Sequence, residues 1–337
     1  MPRQRFGLIL VLLASLPTGP ALAWGAMGHR LIGKLAIESL PPDLPAFLTS
    51  ADTATAVGEL AREPDRWRDS GRTHDSDRDP AHFIDLDDNG LALGGPALSA
   101  LPETRAAYET ALRAAGTDSW KAGYLPYAII DGWQQLEKDL IYWRIDRAAA
   151  EKVANPAHRA WFRADMAERQ ALAVRDLGVL AHYVGDASQP MHVSVHYNGW
   201  GANLPNPQGY TNNHIHVPFE GPFVYAYVDA AMVRADMTPY RDCHCQIGAW
   251  TADYLGETRT QVVPLYELYK TVGFEGGDPR WRAFAASRLA AGADALRDAV
   301  IDAWRASATG KAAWPAVSVA DVEAGRVDPY DSLYGTD

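Results

Sequence analysis

The chain is poor in cysteine: its 337 residues include only Cys243 and Cys245, separated by His244. Two cysteines exclude a scaffold stapled by several disulfides. Export would permit a bridge between them, but so short a loop is strained. A Cys-His-Cys metal site would want a fourth ligand. Long apolar runs are as scarce. Beyond residue 23, no stretch reaches the roughly 20 apolar residues that a membrane-spanning helix needs. Positive charge is in deficit, with 31 Lys and Arg against 42 Asp and Glu, a formal charge of −11. Such a surface weakens non-specific attraction to polyanions. Alternating strand patterns are few and internal repeats are absent, which turns the reading away from β architectures and solenoids.

The first 23 residues differ from the rest. Arg3 and Arg5 make a basic start, residues 7–16 are apolar but too short to span a bilayer, and Ala21-Leu22-Ala23 has a small-x-small pattern. This predicts a cleaved secretory signal peptide. The expected mature protein starts at Trp24, carries a charge of −13 once Arg3 and Arg5 are gone, and is secreted or periplasmic.

Residues 24–310 read as one all-α, multi-helix domain with few or no strands. Helical spacing of apolar residues covers 29–40, stopped by Pro41-Pro42, and then 55–65 and 102–115. A long helix over 123–150 carries Tyr127, Ile130, Trp133, Leu136, Leu140 and Trp143. Another over 163–186 sets Gly178, His182 and Asp186 on a face separate from its apolar stripe. Helical patterns resume at 224–235, 247–260 and 280–305. Residues 311–337 lack periodicity and are expected to form a tail packed on the surface.

Polar chemistry gathers in the stretch from His182 to His192. His182 and Asp186, four apart, project from one face of a helix. Pro190 biases Gln189 away from helical angles, so the chain turns there and brings His192 back. A nitrogen and oxygen donor set of this kind suits a borderline-soft dication such as zinc. The same four-residue spacing recurs at His216 and Glu220. It selects His216 over His214, which has no acid four residues on, although Pro218 between the pair leaves their alignment less firm. Single histidines stand at His29 and at His82, and Asp65 lies in Glu-Pro-Asp-Arg-Trp-Arg. The run from Asp85 to Asp88 lacks the spaced ligands of a calcium loop and reads as a solvated turn. His74, His158, His196 and His244 are assigned to surface or packing roles.

Trp24, His182-x3-Asp186, His192 and His216-x3-Glu220 occur in the order found in the superfamily of trinuclear zinc phosphodiesterases. With His29, Asp65 and His82, the chain resembles this superfamily, which comprises zinc-dependent phospholipases C and single-strand-specific zinc nucleases. The resemblance covers residues 24–220. It implies three zinc ions. Asp65, His82, His182 and Asp186 would hold one, and His192, His216 and Glu220 a second. The third would bind the freed amine and carbonyl of Trp24, His29 and the shared carboxylate Asp186. It also implies hydrolysis by a metal-activated water attacking phosphorus in line, with Asp65 as the catalytic residue that positions the water or takes its proton.

The His-x3-Glu form of the last pair, with Pro207-Gln208-Gly209-Tyr210 before it, resembles the phospholipase branch. Trp24-Gly-Ala-Met-Gly-His29 and the Pro64-Asp65-Arg66-Trp67 segment are closer to the nucleases. Met27 stands where phospholipases of this type often carry an acid for choline. The expectation is therefore a phospholipase C-like enzyme, with a single-strand-specific nuclease as the alternative. Zinc supplies enough local positive charge to make the latter compatible with an acidic chain. A non-catalytic, secreted zinc-binding helical protein is the third reading.

Overall fold

A computed structural model describes residues 24–242 and 246–335. The leader, the Cys243 and Cys245 pair and His244 therefore lie outside the described residues. The fold is all-α, with one two-stranded hairpin among the described residues. Five helices position the site: α1 (Ala26–Glu38), α2 (Ala51–Leu60), α3 (Leu125–Lys152), α4 (Pro156–Asp186) and α5 (Pro279–Ser307). Of these, α4 is the hub, packing against each of the other four.

Local chemistry sets these boundaries. Asn155 accepts a hydrogen bond from the Ala157 N–H at 2.9 Å and Pro156 takes the first helical position, so α4 begins about two turns before residue 163, where its pattern was read to start. Asp278 and Pro279 start α5 in the same way. Ser50 caps α2 through the Thr53 N–H at 3.1 Å. Gly178 lets α4 press onto the end of α2, because a Cβ there would lie 2.3 Å from Leu60 Cβ. None of these helices is long and apolar enough to cross a membrane.

The main core gathers around α1, α4 and α5. Phe219 sits at an aromatic centre, 5.3 Å from the Trp281 ring and 5.6 Å from that of Trp24. The segment from 311 onward folds despite its lack of periodicity. Strands β1 (Lys311–Ala312) and β2 (Val317–Ser318) form a hairpin. With Val319 and Val322 they bury a second apolar cluster against Ile145, Ala149 and Phe162. Segments at 224–235 are two helices, Val224–Tyr227 and Ala230–Asp236, and Val262–Val272 adds a helix that the periodicity had not marked.

One seam between α3 and α4 is polar. Asp146 is wholly buried and both its oxygens lack a hydrogen-bond partner. Burial, then the charge of Asp165, pushes its carboxyl up to about 8. A carboxyl raised in the fold binds its proton more tightly there than in the unfolded chain. Stability therefore falls as pH climbs from about 4 to about 8. Asp146→Asn removes that loss and donates to Asp165 without a charge. Urea denaturation should find it equal to the parent at or below about pH 4 and about 1–3 kcal/mol more stable above pH 8.

Candidate metal centre

The last turn of α4 supplies His182 and Asp186. The His182 Nδ1–H donates to the Ala61 carbonyl just beyond α2 at 2.8 Å, which leaves Nε2 bare. That nitrogen lies 2.8 Å from His82 Nδ1 and 3.2 Å from Asp186 Oδ2. His82 closes the short turn Asp79–His82, with its Nδ1 3.2 Å from the same Asp186 oxygen and 4.0 Å from Asp65 Oδ1. Asp65 sits in the turn Glu63–Arg66. On the other side, Asp186 Oδ1 faces His29 Nε2 from the first turn of α1 at 3.4 Å. One carboxylate thus turns an oxygen to each of two histidine groups.

A third group stands beside these. His192 ends the turn Pro190–His192, and its Nδ1–H donates to the His82 carbonyl at 2.6 Å. Its Nε2 is 3.8 Å from Glu220 Oε2, and His216 Nε2 is 2.8 Å from that oxygen. Pro218 does not spoil the pair: His216–Pro218 form one helical turn that runs into a π-helical turn, Phe219–Phe223. His214 is exposed. Among the described residues, three groups have ligand atoms within 4.8 Å of one another: His29 with His182 and Asp186, Asp65 with His82 and His182, and His192 with His216 and Glu220. All eight His, Asp and Glu residues singled out in the sequence are in these groups. Trp24 is fully buried alongside them. Its indole N–H donates to Ser188 Oγ at 2.8 Å, and the next residue's N–H donates to the Glu220 carbonyl at 3.2 Å.

The donor chemistry fits a bound cation. Buried polar atoms ordinarily find partners. Yet His29 Nδ1 and Nε2, Asp65 Oδ1, Asp186 Oδ1, His192 Nε2, His216 Nδ1 and Nε2, and Glu220 Oε1 make no hydrogen bond of acceptable geometry, although several lie within ion-pair distance of a neighbour. With Nδ1 of His182 committed, its Nε2 presents a lone pair to His82 Nδ1, a contact that either a proton on His82 Nδ1 or a shared cation satisfies. Tetrahedral zinc would place two such nitrogens about 3.3 Å apart. Burial holds His29 well below the usual histidine range and brings His82 down to about 3, so both are in the neutral form that a metal requires. Burial opposes a charged His192 as well, but the Glu220 carboxylate beside it and the charge of Asp186 override it and hold a proton there up to about 9. Burial raises the Asp65 carboxyl, whereas neighbouring histidines outweigh burial and keep Asp186 and Glu220 below the usual carboxylate range.

The structure adds residues that spacing alone had not marked. The buried Arg68 Nε lies 3.3 Å from Asp65 Oδ1, an ion pair without hydrogen-bond geometry. The Gln189 amide donates to Glu220 Oε2 at 3.3 Å. Their signals in the sequence, an Arg three residues after the acid and a Gln before Pro190, were visible but not diagnostic. His196 is buried, bonded to Asp88 Oδ1 at 2.8 Å and stacked on Trp200, so it ties two loops at the rim. Asp87 caps its own turn through the Asn89 and Leu91 N–H groups and Asp88 is exposed, but Asp85 is not solvated: burial pushes its carboxyl up to about 8.

A cleft of about 1170 Å³ reaches the edge of this centre. Tyr183 lines it and packs its ring 5.7 Å from that of His82. Trp67, also in the wall, has the Arg78 and Arg175 guanidinium groups 5.2 and 5.8 Å from its ring. Arg105 lies 3.6 Å over Tyr124. No protein-family model matches the chain, and a search of curated proteins finds no match.

Proposed function

We propose that the chain is a zinc-dependent phosphodiester hydrolase. The observation that carries this reading is the convergence of His82 Nδ1, His182 Nε2 and Asp186 Oδ2 within 2.8–3.2 Å. Five histidines and three carboxylates favour zinc over harder cations. Three positions follow from the three groups, with the Trp24 amine and carbonyl completing the one at His29 once the leader is removed. Bound zinc would supply Lewis acidity, which activates water near neutral pH and neutralises charge on a phosphoryl group.

The protein's own residues do the rest. Asp65, its carboxyl raised by burial, accepts the proton of the attacking water. Arg68, with its Nε 3.3 Å from Asp65 Oδ1, orients that carboxylate and adds positive charge beside it. The Ala61 and His82 carbonyls fix the tautomers of His182 and His192. Buried Trp24 and Phe219 keep bulk water from the back of the site.

Two substrate classes have structural support. Tyr197 and Val217 are exposed beside His216, held together by the His216 N–H donating to Asn198 Oδ1 at 3.2 Å. An apolar rim at the metal groups suits a phospholipid, the first expectation from the sequence. The guanidinium and aromatic wall around Trp67 suits a single-stranded polynucleotide, whose bases stack on aromatic faces. Parallel assays on phosphatidylcholine, phosphatidylethanolamine and single-stranded DNA, each with and without chelator, test the proposal. Hydrolysis of one class that chelator stops and zinc restores is expected. Silence on all three with zinc fully loaded would leave the non-catalytic binding protein as the answer.

A further inference from the structure

Where α3 ends and α4 begins, a second hollow opens away from the metal centre. Its volume is about 400 Å³, within the range that small ligands fill. Arg147, Ala150 and Glu151 of α3 line it, with Arg159, Arg163 and Met166 of α4. Arg163 stands about five turns before His182 on the same helix, roughly 28 Å along its axis, so a small ligand seated here does not touch the metal groups. Three guanidinium groups against one carboxylate reverse the balance of a chain with 31 Lys and Arg and 42 Asp and Glu. We propose that this hollow binds a phosphate monoester, with Arg159 and Arg163 donating to its oxygens and Arg147 adding charge.

The arginines are open to a ligand. Arg163 is exposed and makes neither a hydrogen bond nor an ion pair among the described residues, and the same holds for Glu151. Arg159 commits only Nη1, which donates to the Val153 and Ala154 carbonyls at 2.7 and 2.8 Å. Those bonds fix its guanidinium at the turn and leave its other N–H groups unused. Arg147 is held loosely: its Nη2 is 3.7 Å from Glu323 Oε1, an oxygen that Arg144 Nη1 approaches to 3.6 Å. Lys152 is turned away, donating to the Glu323 carbonyl. A guanidinium fork matches phosphate oxygens in pairs. With Glu151 set against three arginines, two positive charges remain, which suits a phosphate monoester near neutral pH. Ala150 and Met166 offer the carbon part of the ligand an apolar wall.

The site stands apart from the proposed hydrolase, and so does its test. Isothermal titration of the metal-loaded protein with glycerol 3-phosphate counts every phosphate site, and variants isolate this one. Arg163→Gln should weaken one binding event by roughly tenfold, the effect of a lost charged hydrogen-bond pair. Arg163→Lys keeps the charge without the fork and should lose less. Glu151→Gln removes the opposing charge and should tighten the same event severalfold. Neither Arg163 nor Glu151 has a partner to lose, so the fold should be unchanged by circular dichroism. Sedimentation with phosphatidylcholine vesicles, with and without phosphatidate, separates the sources of the phosphate. Capture by phosphatidate alone, relieved in Arg163→Gln, identifies a lipid head group; binding of the soluble ester without capture identifies a free one. Isotherms of Arg163→Gln and Glu151→Gln that both match the parent's would overturn the proposal. Diester hydrolysis in these variants should equal the parent's, so the two readings stand or fall separately.

Discussion

Asp186→Ala is expected to lose two metal positions at once and to lower turnover roughly a thousandfold or more. The reason is the division of its carboxylate, Oδ2 towards His82 and His182 and Oδ1 towards His29. Losing a residue that only supports a ligand already costs about 10–100-fold in metal affinity or activity. A ligand shared by two positions should cost more. Metal content per chain, measured by elemental analysis beside a turnover assay, checks this. Full metal content with undiminished turnover would refute the shared role. Substitution at Glu220 should remove metal from the His192 and His216 group alone, which separates a shared ligand from general damage.

The largest effect on folding is expected at Gly123. Its φ of +72° is one that side chains rarely adopt, and a Cβ there would stand 2.0 Å from the Phe83 carbonyl oxygen. That backbone is also bridged to Ile84, and Tyr108 donates its hydroxyl to the Gly123 carbonyl at 3.0 Å. Gly123→Ala must therefore push 83–85 away, with His82 directly before it. Positive-φ strain and overpacking each cost about 1–3 kcal/mol, so a loss of about 3 kcal/mol or more is expected. Thermal denaturation reads the stability, and zinc titration reads the accompanying loss at His82. A melting temperature equal to the parent's would show that the segment gives way freely.

Much of this architecture was legible in the sequence because the relevant signals are local. Four-residue spacing placed His182 with Asp186 and His216 with Glu220, since a helical turn imposes that neighbourhood whatever surrounds it. Apolar periodicity located α3, α4 and α5, with ends shifted where caps such as Asn155 and Asp278 start a helix before its buried face begins. What spacing could not carry was tertiary. Arg68 acquires meaning only when Asp65 folds beside His82. The segment after 310 looked structureless because two-residue strands and five-residue helices are too short for a period. Its few valines nonetheless bury against α3.

The segments carrying His82 and His192 are joined by their own peptide groups. The Ile84 N–H donates to the His192 carbonyl at 2.9 Å, and the Val195 N–H to the Leu86 carbonyl at 3.0 Å. Those links need no ion. The socket is therefore assembled during folding itself, unlike a zinc finger, whose loops come together only around the metal. Any ion these groups hold would thus enter and leave a standing frame, so chelation is expected to leave the fold in place.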